Sequence, residues 1–247
     1  MQNYTKENLL FCVDNTEYYR DGEKMIALYP EGTKGSIVMQ EAANMSRAME
    51  LGISVPTVLE VKQINSRWAI VTEYVGSTLL SDLAAKSGWG DDTLTQFLEL
   101  EMSVHSKKSQ EFPKQRDILQ RKISGAVLDG TVRYKLHTSL EELPKHNKLC
   151  HGRLLPTRVI VGEDGKYYLF NWLSSSQGNS SADASCTYLS LYLDFDSEIA
   201  ERYLTGFLRR SEISRSYVER WLPIAGAAML NERSEEEQNM LMKFIKK

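Results

Sequence analysis

The sequence predicts an α+β fold in two lobes, a small β-rich one over residues 1–75 and a larger helical one over 76–247, with a β-hairpin set among the helices. Three observations carry this expectation. Short apolar runs punctuated by turn residues fill the first third of the chain. Beyond Gly76 the apolar residues recur at spacings of three and four, the period of a helix face. The stretch HGRLLPTRVIVGEDGKYYLFNW, residues 151–172, then returns to strand, turn and strand. Two lobes joined in this way share a cleft, where ligands commonly bind.

Taken in order, NLLFCV and EYYRDGEKMIALYP read as strands, with Asp21-Gly22 as a hairpin turn. Val38, Ala42, Met45 and Met49 then form one helical stripe, ended by Gly52 and kept from resuming by Pro56. TVLEVKQINSRWAIVTEYV reads as two strands around Ile64-Asn65-Ser66. Leu94, Phe97, Leu98 and Met102 mark an amphipathic helix with its cap at Asp91 or Asp92. SSSQGNSSADAS, residues 174–185, is small and polar throughout and reads as a mobile loop. Ile199, Tyr203, Phe207 and Leu208 mark the next helix, and SYVERWLPIAGAAML one broken near Pro223. Ser234-x-x-Glu237 is a capping box ahead of Met240, Leu241, Phe244 and Ile245.

With 247 residues, 42% of them hydrophobic and 26% charged, the chain is ordinary for a soluble domain with a sizeable core. A net charge of −3 argues against nucleic acid or an acidic membrane surface as partner. The three cysteines, Cys12, Cys150 and Cys186, are scattered and form no C-x-x-C pair, which speaks against a disulfide framework or a zinc site. The opening MQNYTKENLLFCVDNTEYY lacks the basic start and apolar core of a signal peptide, and no apolar run reaches about 18 residues. The expectation is a cytoplasmic protein.

Two groups of residues then carry a resemblance. EAANMSRAMELGISVPTVLEV and WAIVTEYVGSTL resemble the N-lobe of aminoglycoside phosphotransferases and choline-kinase-like small-molecule kinases. LCHGRLLPTRVIVGEDGKYYLFNW and ADASCTYLSLYL are similar to the catalytic and metal-binding segments of the same proteins. Order and spacing match over roughly residues 8–210, which implies a two-lobed protein kinase-like fold, a single domain with a shared interlobe cleft.

The resemblance also implies a catalytic loop of the form His-Gly-Asp-x-His-x-x-Asn, followed by a hairpin and Asp-Trp. Here that loop reads His151-Gly152-Arg153-Leu154-Leu155-Pro156-Thr157-Arg158. Arg153 stands at the catalytic-base position, Arg158 at the metal-binding Asn position, and Asn171 at the metal-binding Asp position beside Trp172. Ala27 aligns with the phosphate-pairing lysine, while Lys24, three residues earlier, faces the other side of the strand. The stretch aligned with the phosphate loop, CVDNTEYY, has no glycine. Glu41 matches the partner of the missing lysine, and Glu73-Tyr74-Val75 matches the interlobe hinge, whose backbone is free in principle to receive an adenine. His151, Pro156, Trp172 and Asp183 match positions that hold the loops in place.

Phosphoryl transfer rests on positioning and on neutralisation of charge by metal ions. Asp to Arg adds two charges, Asn to Arg and Asp to Asn add one each, and Lys to Ala removes one, which leaves the site about three units more positive than an active relative's. A divalent ion about 4 Å from a guanidinium is repelled by roughly 8 kcal/mol at an effective dielectric of about 20. Loss of the base alone costs about 10²–10⁴ in rate. The chain is therefore expected to be a catalytically inactive pseudokinase, a binding or regulatory module. No cofactor or metal is expected, Mg-ATP is an unpromising ligand, and the partner is a small molecule or a protein.

Two other readings stand beside it. One is a phosphotransferase with relocated groups, in which Glu41, Glu73 or Asp164 holds the metal. The other is a metal-free sensor of anions or phosphorylated metabolites, gripped by Arg153 and Arg158. Against the sensor, the two arginines pair with nearby acids, Glu41 among them, or face solvent. Glu163 and Asp164 read as turn residues, and His105 as a satisfied histidine on a helix. Trp68, Trp89, Trp172 and Trp221 read as packing residues.

Overall fold

The computed structural model describes residues 8–246, so Met1–Glu7, part of the stretch read for a signal peptide, and Lys247 lie outside the described residues. The chain divides into two compact units, one of residues 1–93 with 156–173, the other of residues 94–155 with 174–247. The hairpin that follows residues 151–158 thus belongs to the compact unit that holds the β-rich first third.

In that first unit five antiparallel strands form one sheet: β1 (Leu9–Val13), β2 (Thr16–Asp21), β3 (Lys24–Leu28), β4 (Val58–Ile64) and β5 (Arg67–Glu73), in the order β1-β2-β3-β5-β4. Alternation sets the core, because Tyr19, Ile26, Leu28, Ala69 and Val71 come from three neighbouring strands and bury together. The β1–β2 turn is Asp14-Asn15 and the β4–β5 turn Asn65-Ser66. All four residues are left-handed, as two-residue hairpins require.

Helix α1 (Gly35–Glu50) packs on β4 and β5. Its inward stripe holds Val38, Ala42 and Met45 as expected, but Met49 is exposed and Ala48 takes the fourth place. A second, three-stranded sheet joins β6 (Thr78–Leu79), β8 (Val159–Val161) and β9 (Tyr167–Leu169), and α2 (Leu80–Ser87) packs beside it.

The second unit is helical apart from the pair β7 (Lys148–Cys150) and β10 (Ser176–Gly178). Helix α3 (Asp91–His105) begins at Asp91, so Asp91 and Asp92 lie in the first turn, where their charge suits the positive helix end. Its buried face carries Glu101, Val104 and His105, and Met102 is half-buried. Helices α4 (Gln115–Gly125) and α5 (Gly130–Glu142) follow, then α6 (Ser180–Asp194) and α7 (Ser197–Ser211). On α7 the buried residues are Ile199, Tyr203, Leu204 and Phe207, with Leu208 half-buried. The break near Pro223 separates α8 (Arg215–Glu219) from α9 (Leu222–Met229), and the capping box at Ser234 and Glu237 opens α10 (Glu235–Ile245).

One expectation is overturned outright. Residues 174–185 are not a loop: they supply β10 and the start of α6, and Ser175, Ser176, Ser180, Ser181 and Ser185 are all buried. Their polarity is met locally. Asn179 caps α6 by accepting from Ser181 N–H at 2.9 Å, and Ser185 donates to Ser181 O at 2.7 Å. Among the described residues no helix is long and apolar enough to cross a membrane.

Candidate functional site

In the helical unit, β7 runs directly into His151-Gly152. The turn is fixed by Asp183 on α6, whose carboxylate accepts from His151 N–H at 2.8 Å, Gly152 N–H at 2.7 Å and His105 Nε2 at 3.1 Å. Burial works to raise the pKa of Asp183, but the hydrogen bond and charge of His105, with His151 behind them, outweigh it and hold the group ionised. Gly152 has φ +80°, and a Cβ there would stand 2.3 Å from Ser174 O, so the sequence has no other residue to put at this point.

His105, Cys150 and Asp183 also form the one group among the described residues with metal-ligand spacing, their ligand atoms all within 4.8 Å of one another. Its chemistry fits a closed knot better than a metal. Both Asp183 oxygens already accept N–H groups, and burial pushes the Cys150 thiol well above its ordinary range, with Asp183 adding to the effect.

Arg153, which the resemblance puts at the catalytic-base position, lies 3.2 Å from Glu232, which also takes Lys122 at 2.9 Å. An acid that sequence reasoning did not single out therefore neutralises this arginine.

In the β unit, a short 3-10 turn over Pro156–Arg158 delivers Arg158 into the interior, where it is 1% exposed. It donates to the Asp14 carboxylate, and Asn171 Nδ2 donates to the same oxygen at 3.2 Å. Asn171 is itself left-handed, φ 61°, which an asparagine tolerates. Trp172 is fully buried: its indole N–H donates to Leu169 O at 3.0 Å, and its carbonyl accepts Asn44 Nδ2 at 3.0 Å. Asp14, in the stretch that the resemblance aligns with the phosphate loop, stands exposed at the hairpin tip and is met there by Arg158 and Asn171.

Glu41 on α1 is 4% exposed, and its partner is the Tyr29 hydroxyl rather than an arginine. Burial pushes it up to about 7, against the hydrogen bond from Tyr29 and the charge of Arg158, with Asp14 reinforcing the rise. Ala27, Tyr18, Tyr29, Glu41, Met45 and Phe170 are among the residues that line a cavity of about 10 Å³. Such a space is barely the size of one water. Tyr18 closes it by standing edge-on to Phe170 at 5.2 Å, and Phe11 lies over Tyr18 at 4.8 Å. Lys24 is exposed at the end of β3, paired in register with Glu73.

At the hinge-like segment, Tyr74 N–H donates to Glu23 O at 3.0 Å and Val75 O accepts Glu163 N–H at 2.9 Å. Arg20 covers the ring of Tyr74 at 3.9 Å. Asp164 is a turn residue in the full sense, accepting from Lys166 N–H, Lys166 Nζ and Tyr168 OH, each at 3.0 Å.

No family model matches the sequence, and no curated protein matches it. Solved structures do. Aminoglycoside phosphotransferase APH(4)-Ia aligns with a TM-score of 0.67 at 13% identity, covering 93% of this chain and 87% of that one. The chain has a kinase-like fold. Choline kinase LicA from Streptococcus pneumoniae aligns at 0.63 and 17% identity over 95% and 89%, and aminoglycoside-3'-phosphotransferase of type VIII at 0.62 and 19% over 86% and 88%. The five-stranded sheet and the mostly helical remainder fit the α+β fold expected from sequence.

The structure brings Arg158 and Asn171 to one carboxylate, that of Asp14, and pairs Arg153 with Glu232, whereas Glu41, the acid that sequence reasoning offered the two arginines, is bonded to Tyr29. Asp14, Tyr29 and Glu232 were missed. Asp14-Asn15 between two apolar runs is a hairpin signal that the search for a glycine-rich loop passed over.

Proposed function

We propose that this chain is a kinase-like module without phosphoryl transfer, a pseudokinase that acts by binding or regulation. The observation that carries the reading is the ion pair between Arg158 and Asp14. A buried guanidinium stands where the resemblance puts a metal-holding asparagine, and a carboxylate of the same unit already neutralises it. Neither group then has cause to recruit a cation or a phosphate. Arg153 is likewise answered by Glu232, which supports the paired reading of both arginines over a grip on a free anion.

The carboxylates available for relocated chemistry are otherwise engaged or remote. Glu41 is buried against Tyr29, and Asp164 is bound within its own turn. With about 10 Å³ left beside Ala27, a phosphate chain has no room there without displacing Tyr18 or Tyr29.

The test is thermal stability of the purified protein with ATP, with and without magnesium. The expected result is no metal-dependent rise in Tm. Such a rise, joined to ATP turnover that disappears in Arg153→Ala, overturns the reading in favour of a phosphotransferase of the aminoglycoside or choline kinase type.

A further inference from the structure

Strand β4 is the last of the five-stranded sheet, paired with β5 on one side and, among the described residues, with no strand on the other. None of its seven residues is buried, whereas Ala69, Ile70, Val71 and Thr72 of β5 all are. A bulge between Val58 and Glu60 leaves residues 60–64 as its regular part.

Register fixes which backbone groups face outward. The two-residue turn at Asn65-Ser66 makes Ile64 and Arg67 its closing pair, which exchange both hydrogen bonds. Bonding then alternates along the ladder. Lys62 and Glu60 turn their backbone groups to Ala69 and Val71, while Val61 and Gln63 turn theirs to the open side. The far side of β5 agrees with this parity: Trp68, the residue between Arg67 and Ala69, gives its carbonyl to Tyr29 N–H at 2.9 Å, next to β3. Val61 and Gln63 thus hold out a row of donors and acceptors to a further strand.

We propose that the open side of β4 pairs with β4 of a second copy of this chain, antiparallel and centred on Val61. Hydrogen bonds form only between outward residues, so the two strands slide past each other in steps of two residues. With Val61 opposite Val61 of the second copy, Glu60 faces Lys62 of the second copy, and Lys62 faces Glu60 of the second copy. These are non-hydrogen-bonded pairs, the ones whose side chains stand closest. One step either way sets Glu60 on Glu60 or Lys62 on Lys62, which like charge opposes. The strand is therefore its own complement in one register. Edge charges of a single sign keep a second copy away, whereas these two are opposite and already attract within one chain at 2.8 Å. At the other edge of the sheet β1, LLFCV, has no charge to choose a register. The pairing concerns the sheet alone and does not depend on the reading of Arg158.

Sedimentation velocity of the purified full chain over a range of concentrations is the test. The expected result is a reversible monomer–dimer equilibrium. Glu60→Lys and Lys62→Glu, each alone, set like charges face to face and are expected to weaken the dimer about tenfold. Mixed in equal amounts, the two variants again oppose every positive charge with a negative one, and a heterodimer with the parent's affinity is expected. That recovery separates a lost contact from a lost fold. A chain that stays monomeric up to about 1 mM, a dimer indifferent to the single substitutions, or a mixture no tighter than its components overturns the proposal.

Discussion

Arg158 and Asp14 meet across 144 residues of chain, one buried in a 3-10 turn and the other half-exposed at a hairpin tip. The pair ties β1–β2 to the segment that precedes the second hairpin. It also decides the charge of the site, because a guanidinium with an acid at hand has no need of another anion.

The ion pair yields a stability prediction. Asp14→Ala removes a charged acceptor from a buried donor, at an expected cost of about 1.5–3 kcal/mol. The figure stays below that of a fully buried pair because water reaches Asp14. Arg158→Met added to Asp14→Ala removes the buried charge as well and recovers part of the loss. Urea unfolding of the three proteins measures both steps, and an Asp14→Ala variant as stable as the parent refutes the structural role given to the pair.

Two buried carboxylates set a pH dependence. Glu41 is raised from 4.5 to about 7 chiefly by burial, and Glu101 likewise, opposed by the charge of His105 and the hydrogen bond from Tyr203. A carboxyl whose pKa is raised on folding favours the folded state when protonated. Its contribution is complete below about 4.5 and is lost as pH rises through about 7. The stake is on the order of 3 kcal/mol for each group. Asp183, with its lowered pKa, acts in the opposite sense only at more acid pH. Stability is therefore expected to fall between pH 5 and pH 8, and the Glu41→Gln/Glu101→Gln variant to lose most of that slope. A slope of the other sign, or one that the double variant keeps, contradicts the assignment.

Local sequence pattern located the five strands of the first sheet, the hairpin of β8 and β9, and helices α1, α3, α7 and α10 with the break near Pro223, because apolar spacing and turn chemistry act over a few residues; α2, α4, α5 and α6 were not marked by it. What it placed poorly were the faces. Glu101 is fully buried on α3 because Tyr203, 102 residues away, donates to both its oxygens at 2.7 and 2.8 Å. No periodicity in α3 announces that partner. The same holds for Glu41 with Tyr29, and for Arg158 with Asp14. Residues 174–185 misled for a related reason: small polar side chains signal a loop only when water is their partner, and here Gln115, Val218 and the backbone of α6 take that part.

That buried polar segment gives a third prediction. Asn179 accepts from Ser181 N–H at 2.9 Å, donates to Tyr217 OH at 2.7 Å and, through its backbone N–H, donates to Gln115 Oε1 at 2.8 Å. Asn179→Ala removes the cap and the tyrosine contact together, for an expected loss of about 1–2 kcal/mol. Tyr217→Phe removes the second alone and should cost less. Equal stability of Asn179→Ala and the parent in chemical denaturation would show residues 174–185 to be the loop their composition suggests.

Gly152 and Gly165 share a left-handed backbone, φ +80° and +78°, but not their surroundings. Nothing lies within 4 Å of a Cβ at Gly165, whereas one at Gly152 would stand 2.3 Å from Ser174 O and 3.0 Å from Ser174 C. Alanine at Gly165 pays only for its conformation, about 1–2 kcal/mol. Alanine at Gly152 adds a clash with backbone that cannot rotate away. It also forces apart the turn in which His151 and Gly152 donate to Asp183. Breaking the hydrogen bonds of a buried carboxylate raises the total well beyond the conformational cost alone. Gly165→Ala is expected to fold with a modestly lower Tm, and Gly152→Ala to be recovered unfolded or aggregated. Similar melting temperatures for the two variants would mean that the Asp183 turn yields freely and does not hold the loop that carries Arg153.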